Sequence, residues 1–383
     1  MIRGADVIVI GAGMAGASVA AELAPHCRVI VLEAEDQPGR HSTGRSAAMF
    51  FESYGNETVR ALTRASRAFL EHPPEGFATF PLLRPRDALI VGDAGQVPRL
   101  EAIVAEPDAT ATLRLVDAAT AMSRCPILRR ERLAAAVLDE SGHDMDVAAI
   151  HQGYLRLARR AGAELLLDAR DLRIERGAGW RLHTSAGEFH APVVVNAAGA
   201  WADVVAALAG VRTIGLQPMR RSVAMLPAPA GIDIDAWPMV IGVDEDFYFK
   251  PDAGQLLLSP ANEDPSPPCD AVPEELDIAI AVDRFERATT LPVVRVLRRW
   301  AGLRSFVADR SPVVGFDADG DGFFWFAGQG GYGIQMAPAL ARVAAAQILR
   351  RPMPDDVQRE GLASAALSPA RAACRREGAA PAA

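Results

Sequence analysis

The first 48 residues constrain the fold of this chain more than any other stretch. Residues 5–10 form a short, mostly β-branched run, which is typical of a strand buried on both faces. A glycine-rich turn at 11–16 follows, then a helical pattern from Ala17 to Leu23, and then a second apolar run that ends at Glu33. This order of elements predicts the first β-α-β unit of a dinucleotide-binding domain.

Each part of this unit has a physical role toward a dinucleotide. Gly11 permits the tight turn, Gly13 lets a pyrophosphate approach the backbone, and Gly16 lets the helix pack closely on the strand. The helix N-terminus offers unpaired N–H groups to phosphate. Glu33 is placed to accept the hydroxyls of a ribose and would repel a 2′-phosphate, so FAD or NAD is favoured over NADP.

The loop at residues 37–48 favours flavin over nicotinamide. It contains two glycines, several hydroxyl side chains and two arginines, Arg40 and Arg45. A nicotinamide-binding domain normally continues at this point into its next helix and strand. A polar loop instead suits a cofactor whose pyrophosphate and second ring system extend past the first unit. The sequence therefore favours FAD.

Charge and composition limit the class of protein. The net charge of −8, without a long basic block, argues against a nucleic-acid partner. The sequence has no run of about eighteen apolar residues, so no membrane insertion is expected. Four scattered cysteines argue against a disulfide framework or a metal site, and they predict a cytoplasmic location.

The alternation of elements predicts an α/β (α+β) fold, with a Rossmann-like FAD-binding domain and an interleaved, largely antiparallel-sheet substrate domain. The segments of the FAD-binding domain are expected at residues 1–79, 131–210 and 298–367. Those of the substrate-binding domain are expected at residues 80–130 and 211–297. Residues 368–383 are rich in alanine, proline and arginine and are expected to be disordered.

Two further glycine-bearing motifs lie at residues 196–201 and 328–333. Together with residues 11–16 and the polar loop, they resemble the D-amino-acid oxidase (DAO) superfamily of FAD enzymes. Longer stretches resemble bacterial FAD-dependent D-arginine dehydrogenase, a D-amino-acid dehydrogenase, and they lie at residues 41–48, 215–218, 300–309 and 329–335. The resemblance extends from about residue 5 to about residue 370.

The resemblance implies an FAD site formed by all of these motifs. A helix beginning near Gly331 would point its positive end at the flavin. The absence of a cysteine near residues 328–333 predicts non-covalent FAD, with His41 as the alternative point of attachment. The residues expected to contact the cofactor are Gly11, Gly13, Met14, Ala15, Gly16, Glu33, Ala34, His41, Ser42, Thr43, Arg45, Ser46, Ala47, Ala48, Ala198, Gly199, Trp201, Gly302, Gly330, Gly331, Tyr332, Gly333, Ile334 and Gln335.

The resemblance also implies oxidative deamination of a D-amino acid. Hydride leaves Cα for flavin N5, and the imino acid is hydrolysed to a 2-oxo acid and ammonia. Arg304 and Arg221 match the arginines that hold the substrate carboxylate, and Tyr54 and Tyr248 match tyrosines of the substrate pocket. The other expected pocket residues are Met49, Phe51, Asp87, Ala88, Met239, Ile241 and Gly331.

The chain departs from the D-arginine dehydrogenase pattern at two pocket positions. The acidic residue that binds the substrate guanidinium corresponds to Ala88, while Asp87 lies one position earlier. A shift of one residue on a strand points the side chain to the opposite face. Met49 stands where the family has a histidine. Because an unpaired buried guanidinium costs several kcal/mol, we expect apolar or aromatic D-amino acids to be favoured over D-arginine.

Two other functions remain open. The same carboxylate clamp would serve an enzyme that oxidises N-substituted or cyclic amino acids, such as sarcosine- or proline-like substrates. A non-catalytic flavin-binding subunit is the other alternative, but such a subunit has no need of a carboxylate clamp. The resemblance favours a dehydrogenase over an oxidase, with a quinone or another electron acceptor as partner. Peripheral contact with the inner membrane face is an open alternative to a purely cytoplasmic location.

Overall fold

The structure is a computed structural model that describes residues 2–106 and 112–374. Its α-helices within those residues are Met14–Leu23, Glu57–Glu71, Val97–Ala105, Ala118–Arg124, Val147–Arg160, Ala202–Leu208, Glu275–Ala288, Ala337–Ile348 and Asp355–Arg359. Its short 3-10 helices there are Thr43–Arg45, Arg130–Arg132, Gly199–Trp201, Ser364–Leu367 and Ala372–Cys374.

A mostly parallel sheet, called the central sheet below, contains the first β-α-β unit. Its strands, in spatial order, are Glu164–Leu166, Val29–Leu32, Val7–Ile10, Val193–Asn196, Phe323–Ala327 and Val313–Phe316. The last pair is antiparallel and the others are parallel. Both faces are covered, which explains the continuous apolar runs in its strands. The helix Met14–Leu23 packs there against Val147–Arg160 and Ala337–Ile348.

A four-stranded sheet covers the opposite face of the central sheet. Its strands are Arg3–Gly4, Gly187–Ala191, Gly179–Thr184 and Arg173–Gly177. The buried side chains of Trp180 and Phe189 share an apolar cluster with Ile8 and Ile10 of the central sheet. The first strand of the dinucleotide unit is therefore enclosed between helices and a second sheet, and it ends at the glycine turn.

A second, larger sheet, called the large sheet below, is almost entirely antiparallel. Its strands, in spatial order, are Asp264–Pro265, Gln217–Pro227, Gln255–Ser259, Tyr248–Asp252, Met239–Gly242, Ala88–Gly92, Ala135–Asp139 and Leu113–Asp117, and Arg298–Phe306 pairs with Gln217–Pro227. Met239–Gly242 and Ala88–Gly92 form its parallel pair. The helix Glu275–Ala288 packs on one face through Ala281 and Phe285.

A small antiparallel sheet lies next to the large one. Its strands are Met49–Phe50, His143–Met145 and Leu83–Pro85. The described structure thus confirms the predicted mixed α/β fold, in which a Rossmann-like sheet is interleaved with a largely antiparallel one. The pattern of apolar residues predicts both kinds of sheet, because parallel buried strands and half-buried antiparallel strands differ in their periodicity.

Two strands of the large sheet lie in segments that were predicted to belong to the FAD-binding domain. Ala135–Asp139 pairs with Ala88–Gly92, and Arg298–Phe306 pairs with Gln217–Pro227. The residue pattern of a strand indicates that it is a strand, but it does not specify its partner, which explains the difference. The division of the chain into two domains stays a prediction, and these two strands cross its boundaries.

The C-terminal segment differs from the predicted disordered tail. Arg371 forms an ion pair with Asp309 at 2.7 Å, and Cys374 is buried. Residues 368–374 of the predicted tail therefore make specific contacts, whereas residues 375–383 lie outside the described residues, and the disorder of the tail stays a prediction. The apolar contact of Cys374 and the ion pair of Arg371 are both long-range, so composition alone did not reveal them.

The helix that follows the glycine motif at 328–333 also begins later than expected. Residues 331–336 form turns, with the Ala337 N–H donating to the Ile334 carbonyl at 3.3 Å, and the helix starts at Ala337 rather than near Gly331. Pro338 lies in its first turn, where the missing N–H of proline is tolerated. Within the described residues, no helix is both long enough and apolar enough to cross a membrane.

Candidate active site

A cavity of about 470 Å3 extends from the glycine turn of the central sheet to the strands of the large sheet. Gly11, Gly13 and Glu33 line one end of it. Arg221 and Arg304 line the other end. The cavity volume is in the usual range for small-molecule and cofactor sites.

The glycine turn requires glycine for two different reasons. Gly11 has a φ of +99°, and a Cβ there would lie 2.6 Å from the Ala197 carbonyl oxygen. A Cβ at Gly16 would lie 1.8 Å from the Gly11 carbonyl oxygen. Gly13 has no side chain to cap the following helix, and the Met14 N–H donates instead to Thr43 Oγ1 at 2.9 Å. The turn therefore presents bare backbone to the cavity.

Two polar side chains of the cavity wall are placed for a dinucleotide. Glu33 Oε2 accepts the Ala12 N–H at 2.8 Å, so its carboxylate lies beside the glycine turn. His41 Nε2 lies 2.9 Å from Glu35 Oε1, and its ring lies 4.7 Å from the ring of Trp201. The buried Nδ1 of His41 has no hydrogen-bond partner among the described residues. This atom is free for a ligand in the cavity.

Most of the predicted cofactor residues line this cavity. They are Gly11, Gly13, Met14, Ala15, Glu33, Ala34, His41, Ser42, Thr43, Arg45, Ser46, Ala47, Ala198, Gly199, Trp201, Gly302, Gly330, Gly331, Gly333 and Ile334. The predicted cofactor residues that lie behind the cavity wall are Gly16, Ala48, Tyr332 and Gln335. Gln335 is buried, donates to Thr63 Oγ1 at 3.0 Å and accepts the Phe51 N–H at 3.2 Å, so it connects two segments of the chain.

Arg304 is the central side chain at the substrate end of the cavity. Its Nη1 lies 3.5 Å from the Tyr54 hydroxyl, and a Cβ at Gly331 would lie 3.0 Å from its Cζ. The glycine at 331 therefore lies in close contact with this guanidinium, and a larger residue there would require the Arg304 side chain to shift. Among the described residues, no carboxylate lies within 4.0 Å of it. A half-buried cation without a carboxylate partner favours binding of an anion.

Arg221 lies nearby but already has partners. It is 9% exposed, its Nε donates to the Asn262 carbonyl at 2.7 Å, and its Nη2 lies 3.1 Å from Glu263 Oε1. Burial and the neighbouring Arg304 charge lower the pKa of Arg221. The same Glu263 oxygen accepts from Arg310 at 2.9 Å. The predictions missed Glu263 and Arg310, although the Asn-Glu-Asp run at 262–264 is an acidic signal next to a strand.

Tyr248 completes the substrate end. Its ring lies 5.9 Å from the Arg221 guanidinium, and its buried hydroxyl has no hydrogen-bond partner among the described residues. Burial opposes ionisation, but the positive charges of Arg304 and Arg221 lower the pKa of Tyr248. The structure therefore brings the two predicted clamp arginines and the two predicted pocket tyrosines together near one end of the cavity.

The remaining predicted pocket residues form an apolar cluster next to Tyr248, called the pocket cluster below. Its buried and partly buried members include Phe51, Ala88, Met239, Met49 and Ile241. None of these five residues lines the cavity, whereas Val223 and Tyr248 of the same cluster do.

Asp87 is not part of the pocket cluster. It lies 2.9 Å from Arg124, because alternation along the strand points it away from the face of Ala88.

The residues at the glycine end fit FAD. The glycines of the turn, the N-terminus of the following helix and Glu33 provide for the pyrophosphate and a ribose. The cavity continues past them to Gly330 and Gly331, which gives room for a second ring system. These features match the FAD predicted from the sequence.

Comparison with known proteins agrees with this assignment. A family model described as "FAD dependent oxidoreductase" (DAO) matches residues 6–347. The bifunctional tRNA 5-methylaminomethyl-2-thiouridine biosynthesis protein MnmC of Burkholderia ambifaria is 28% identical over 334 residues, which are 82% of this chain and 49% of that protein. The hydrogen cyanide synthase subunit HcnC of Pseudomonas aeruginosa is 27% identical over 190 residues, which are 47% of this chain and 43% of that protein. The chain thus spans less than half the length of these curated relatives.

Solved structures share the fold at low sequence identity. Glycine oxidase from Geobacillus kaustophilus has a TM-score of 0.78 at 21% identity, with 91% of this chain and 96% of that chain covered. L-proline dehydrogenase from P. horikoshii has a TM-score of 0.79 at 22% identity, with 94% and 99% covered. L-alpha-glycerophosphate oxidase from Mycoplasma pneumoniae, solved with FAD bound, has a TM-score of 0.80 at 17% identity, with 91% and 95% covered. Since the family model matches most of the chain, the protein belongs to the FAD dependent oxidoreductase family and uses FAD as its cofactor.

Proposed function

We propose that the protein oxidises the Cα–N bond of a D-amino acid, with the substrate carboxylate held between Arg304 and Arg221. The observation that carries this proposal is the Arg304 guanidinium, which lines the cavity without a carboxylate partner among the described residues. A planar guanidinium pairs bidentately with a carboxylate and so fixes the direction of the Cα–H bond. The unpartnered Tyr248 hydroxyl supplies a further hydrogen bond at the same end.

FAD held at the glycine end would supply the acceptor for the hydride that leaves Cα, and the resulting imino acid would be hydrolysed by water to a 2-oxo acid and ammonia. The residues of this chain bind and orient the substrate. The two guanidinium groups also favour the neutral form of a nearby amine, since neighbouring positive charge disfavours an ammonium ion. A neutral amine has the lone pair that must stabilise the developing imine.

The side-chain preference follows from the pocket cluster. Ala88 is 3% exposed among apolar neighbours, and Asp87 is paired with Arg124 outside that cluster. A D-arginine side chain would therefore lose its hydration without gaining a carboxylate at this position. We infer that apolar or aromatic D-amino acids are preferred to D-arginine.

One observation favours a second candidate, an enzyme for N-substituted or cyclic amino acids such as sarcosine or proline. Val223 and Tyr248 line the cavity, whereas the other members of the pocket cluster, such as Phe51, are buried and do not line it. A small substrate fits this space without rearrangement, whereas a large side chain requires the cluster to open. The same carboxylate clamp would serve both substrate classes. A flavin subunit without catalysis is disfavoured by the clamp itself.

The experiment is anaerobic mixing of the FAD-loaded protein with D- and L-amino acids, glycine, sarcosine and proline, following loss of the oxidised-flavin absorbance. Reduction by D-leucine or D-phenylalanine faster than by D-arginine is expected. Reduction by sarcosine or proline alone would select the second candidate. Failure of every amino acid to reduce the flavin would overturn the carboxylate-clamp proposal.

We also propose that the electron acceptor is a quinone rather than oxygen, so that the protein acts as a dehydrogenase in the cytoplasm or at the inner membrane face. Reoxidation of the substrate-reduced protein by a soluble quinone analogue should then be much faster than reoxidation by dissolved oxygen. The opposite order of rates would identify an oxidase.

A further inference from the structure

Lys250 is the only lysine among the 40 lysine and arginine residues of the sequence, and it is buried, with 4% of its surface exposed. Lysine is normally among the most exposed residue types, and it is fully buried only when paired. Arginine and lysine are not interchangeable at buried sites, because the guanidinium is planar and larger. A chain that uses arginine at every other cationic position therefore has a specific geometric need for the ammonium at position 250.

The contacts of Lys250 form a buried charge network. Its Nζ donates to Asp144 Oδ1 at 2.6 Å, and Asp144 Oδ2 accepts from Arg86 Nε. Arg86 is 6% exposed and also donates to the carbonyl oxygens of Asp235 and Trp237. Each buried ion has a desolvation penalty of several kcal/mol, so it persists only when its partners are well placed. The network thus fixes the relative positions of the segments that carry it.

The segments that carry this network belong to two different sheets. Asp144 belongs to the small sheet, where it lies directly opposite Met49. Lys250 belongs to the large sheet, two residues after Tyr248 and therefore on the same face. Its partner on the neighbouring strand is Leu257, a member of the pocket cluster. The ion pair thus connects the two sheets beside the pocket cluster.

The pocket cluster is divided between the same two sheets. Met49 lies in the small sheet, and Phe51 directly follows its first strand. Ala88, Met239 and Tyr248 lie in the large sheet. A change in the spacing of the two sheets would therefore change the room for a substrate side chain between them.

We propose that Lys250 is a positioning residue which, through Asp144, sets the spacing of the two halves of the pocket cluster and so the size of the substrate side chain that is accepted. The inference rests on the proposed function, because side-chain size has a meaning only for an amino acid held at Arg304. Lys250 acts here through the pocket wall and does not contact the substrate.

The test compares Lys250→Met with wild type on D-alanine and D-phenylalanine. Methionine keeps the length of the side chain, and Arg86 with Asp144 then remains as a neutral pair, so the fold is retained. Loosening of the two halves should raise the ratio of kcat/KM for D-phenylalanine to that for D-alanine by about tenfold, within the range that pocket size normally discriminates. Asp144→Asn should give a similar ratio, and the double variant should add little, because coupled residues are not additive.

Arg342→Met is the matched control. Arg342 also forms an ion pair with an aspartate, Asp356, but it lies on the helix Ala337–Ile348 and contacts the Ala65 carbonyl away from the pocket. The Arg342→Met variant should leave the ratio of kcat/KM for D-phenylalanine to that for D-alanine unchanged, even if the substitution lowers the Tm. An equal loss of activity toward both substrates in Lys250→Met would overturn the proposal.

A second measurement does not depend on catalysis. As the sole lysine, Lys250 gives a single lysine-acetylated peptide after treatment with acetic anhydride, which mass spectrometry quantifies. Its acetylation should be slow in the wild type and at least several-fold faster in Asp144→Asn, both measured well below the Tm. An unchanged acetylation rate would overturn the claim that Asp144 holds Lys250 in place. If no amino acid reduced the wild-type flavin, the proposed function and the size selection would fail, while the acetylation rates would still report on the link.

Discussion

The two ends of the cavity are built in opposite ways. At the glycine end, the residues that matter lie within one short stretch, and their main contribution is backbone without side chains. At the substrate end, Tyr54, Arg221, Tyr248 and Arg304 come from distant parts of the chain and contribute charged or phenolic side chains. The first end depends on close packing of the backbone, and the second on the balance of charges around a cation without a partner.

Because of this difference, we expect the two ends of the cavity to respond to substitution in different ways. A clash in the glycine turn affects folding and cofactor binding together, because the turn is part of the central sheet. A change at the substrate end leaves the fold in place and alters affinity or selectivity. Substitutions at the two ends can therefore test whether this separation is real.

The largest effect is expected from Gly16→Ala. The new Cβ would lie 1.8 Å from the Gly11 carbonyl oxygen, and neither backbone can move without disturbing the central sheet. The cost should exceed the about 1–3 kcal/mol of ordinary overpacking. We expect little folded protein and no retained flavin, measured by thermal unfolding and by the flavin-to-protein absorbance ratio. Gly4→Ala is the matched control, since a Cβ there meets nothing within 4 Å.

The next effect is expected from Arg304→Met. Loss of the unpaired guanidinium should lower kcat/KM for the best amino-acid substrate by about 10²- to 10³-fold, equivalent to about 3–4 kcal/mol, while flavin content and Tm change little. Arg299→Gln is the control on the same strand, because Arg299 pairs with the exposed Glu275 and lies away from the cavity. Equal activity of Arg304→Met and wild type would remove the basis of the proposed clamp.

The third prediction concerns Glu263→Gln. Glu263 holds both Arg221 and Arg310, so its neutralisation should raise KM about tenfold by leaving Arg221 poorly oriented. Burial opposes ionisation, but the hydrogen bond and charge of Arg310, followed by the Arg221 charge, lower the pKa of Glu263. A carboxyl group with a lowered folded pKa stabilises the protein above the unfolded pKa of about 4.3, and this stabilisation is lost as pH falls through the folded pKa.

The Tm difference between wild type and Glu263→Gln should therefore be constant above about pH 5.5 and should shrink below about pH 4. Thermal unfolding across this range measures it. Glu275→Gln is the control, because the exposed pair of Glu275 with Arg299 is expected to contribute little at any pH. A Tm difference that grew as pH fell would contradict the assignment of an ionised, stabilising Glu263.

The same contrast explains what the sequence could predict. The glycine turn, the helix Met14–Leu23 and Glu33 were predictable because their signals are local and follow from backbone geometry. The start of the helix Glu57–Glu71 likewise follows a local rule, because Asn56 accepts the Val59 N–H at 3.1 Å as its N-cap. Local rules of turns and caps are strong enough to fix such elements without knowledge of the rest of the chain.

The substrate end was predictable only in part. Arg221 and Arg304 were identified through motifs, but the pair of Glu263 with Arg221 and Arg310 depends on three separate segments meeting in space. The same holds for Lys250 and Asp144, which are more than a hundred residues apart. No periodicity or spacing in a single sequence encodes such pairs, because their energy arises only when the sheets pack against each other.

The smallest effect is expected from Asp87→Asn. Asp87 pairs with the partly exposed Arg124, away from the pocket cluster, and such pairs contribute little. The ratio of kcat/KM for D-arginine to that for D-leucine should therefore stay within about twofold of the wild-type value. Substrate profiling of the purified variant measures this ratio, and a large fall in it would mean that Asp87 reaches the substrate after all.

Ala88→Glu is the informative contrast to Asp87→Asn, because it places a carboxylate on the pocket face of the same strand. The larger side chain must enter a packed cluster, so some stability will be lost. The D-arginine guanidinium would gain a charged hydrogen bond there, and desolvation of both groups would offset part of that gain. The ratio of kcat/KM for D-arginine to that for D-leucine should therefore rise about fivefold. If neither variant changed the ratio, selectivity would be set by the size of the cavity and not by charge, and the substrate end would then resemble the glycine end in depending on packing alone.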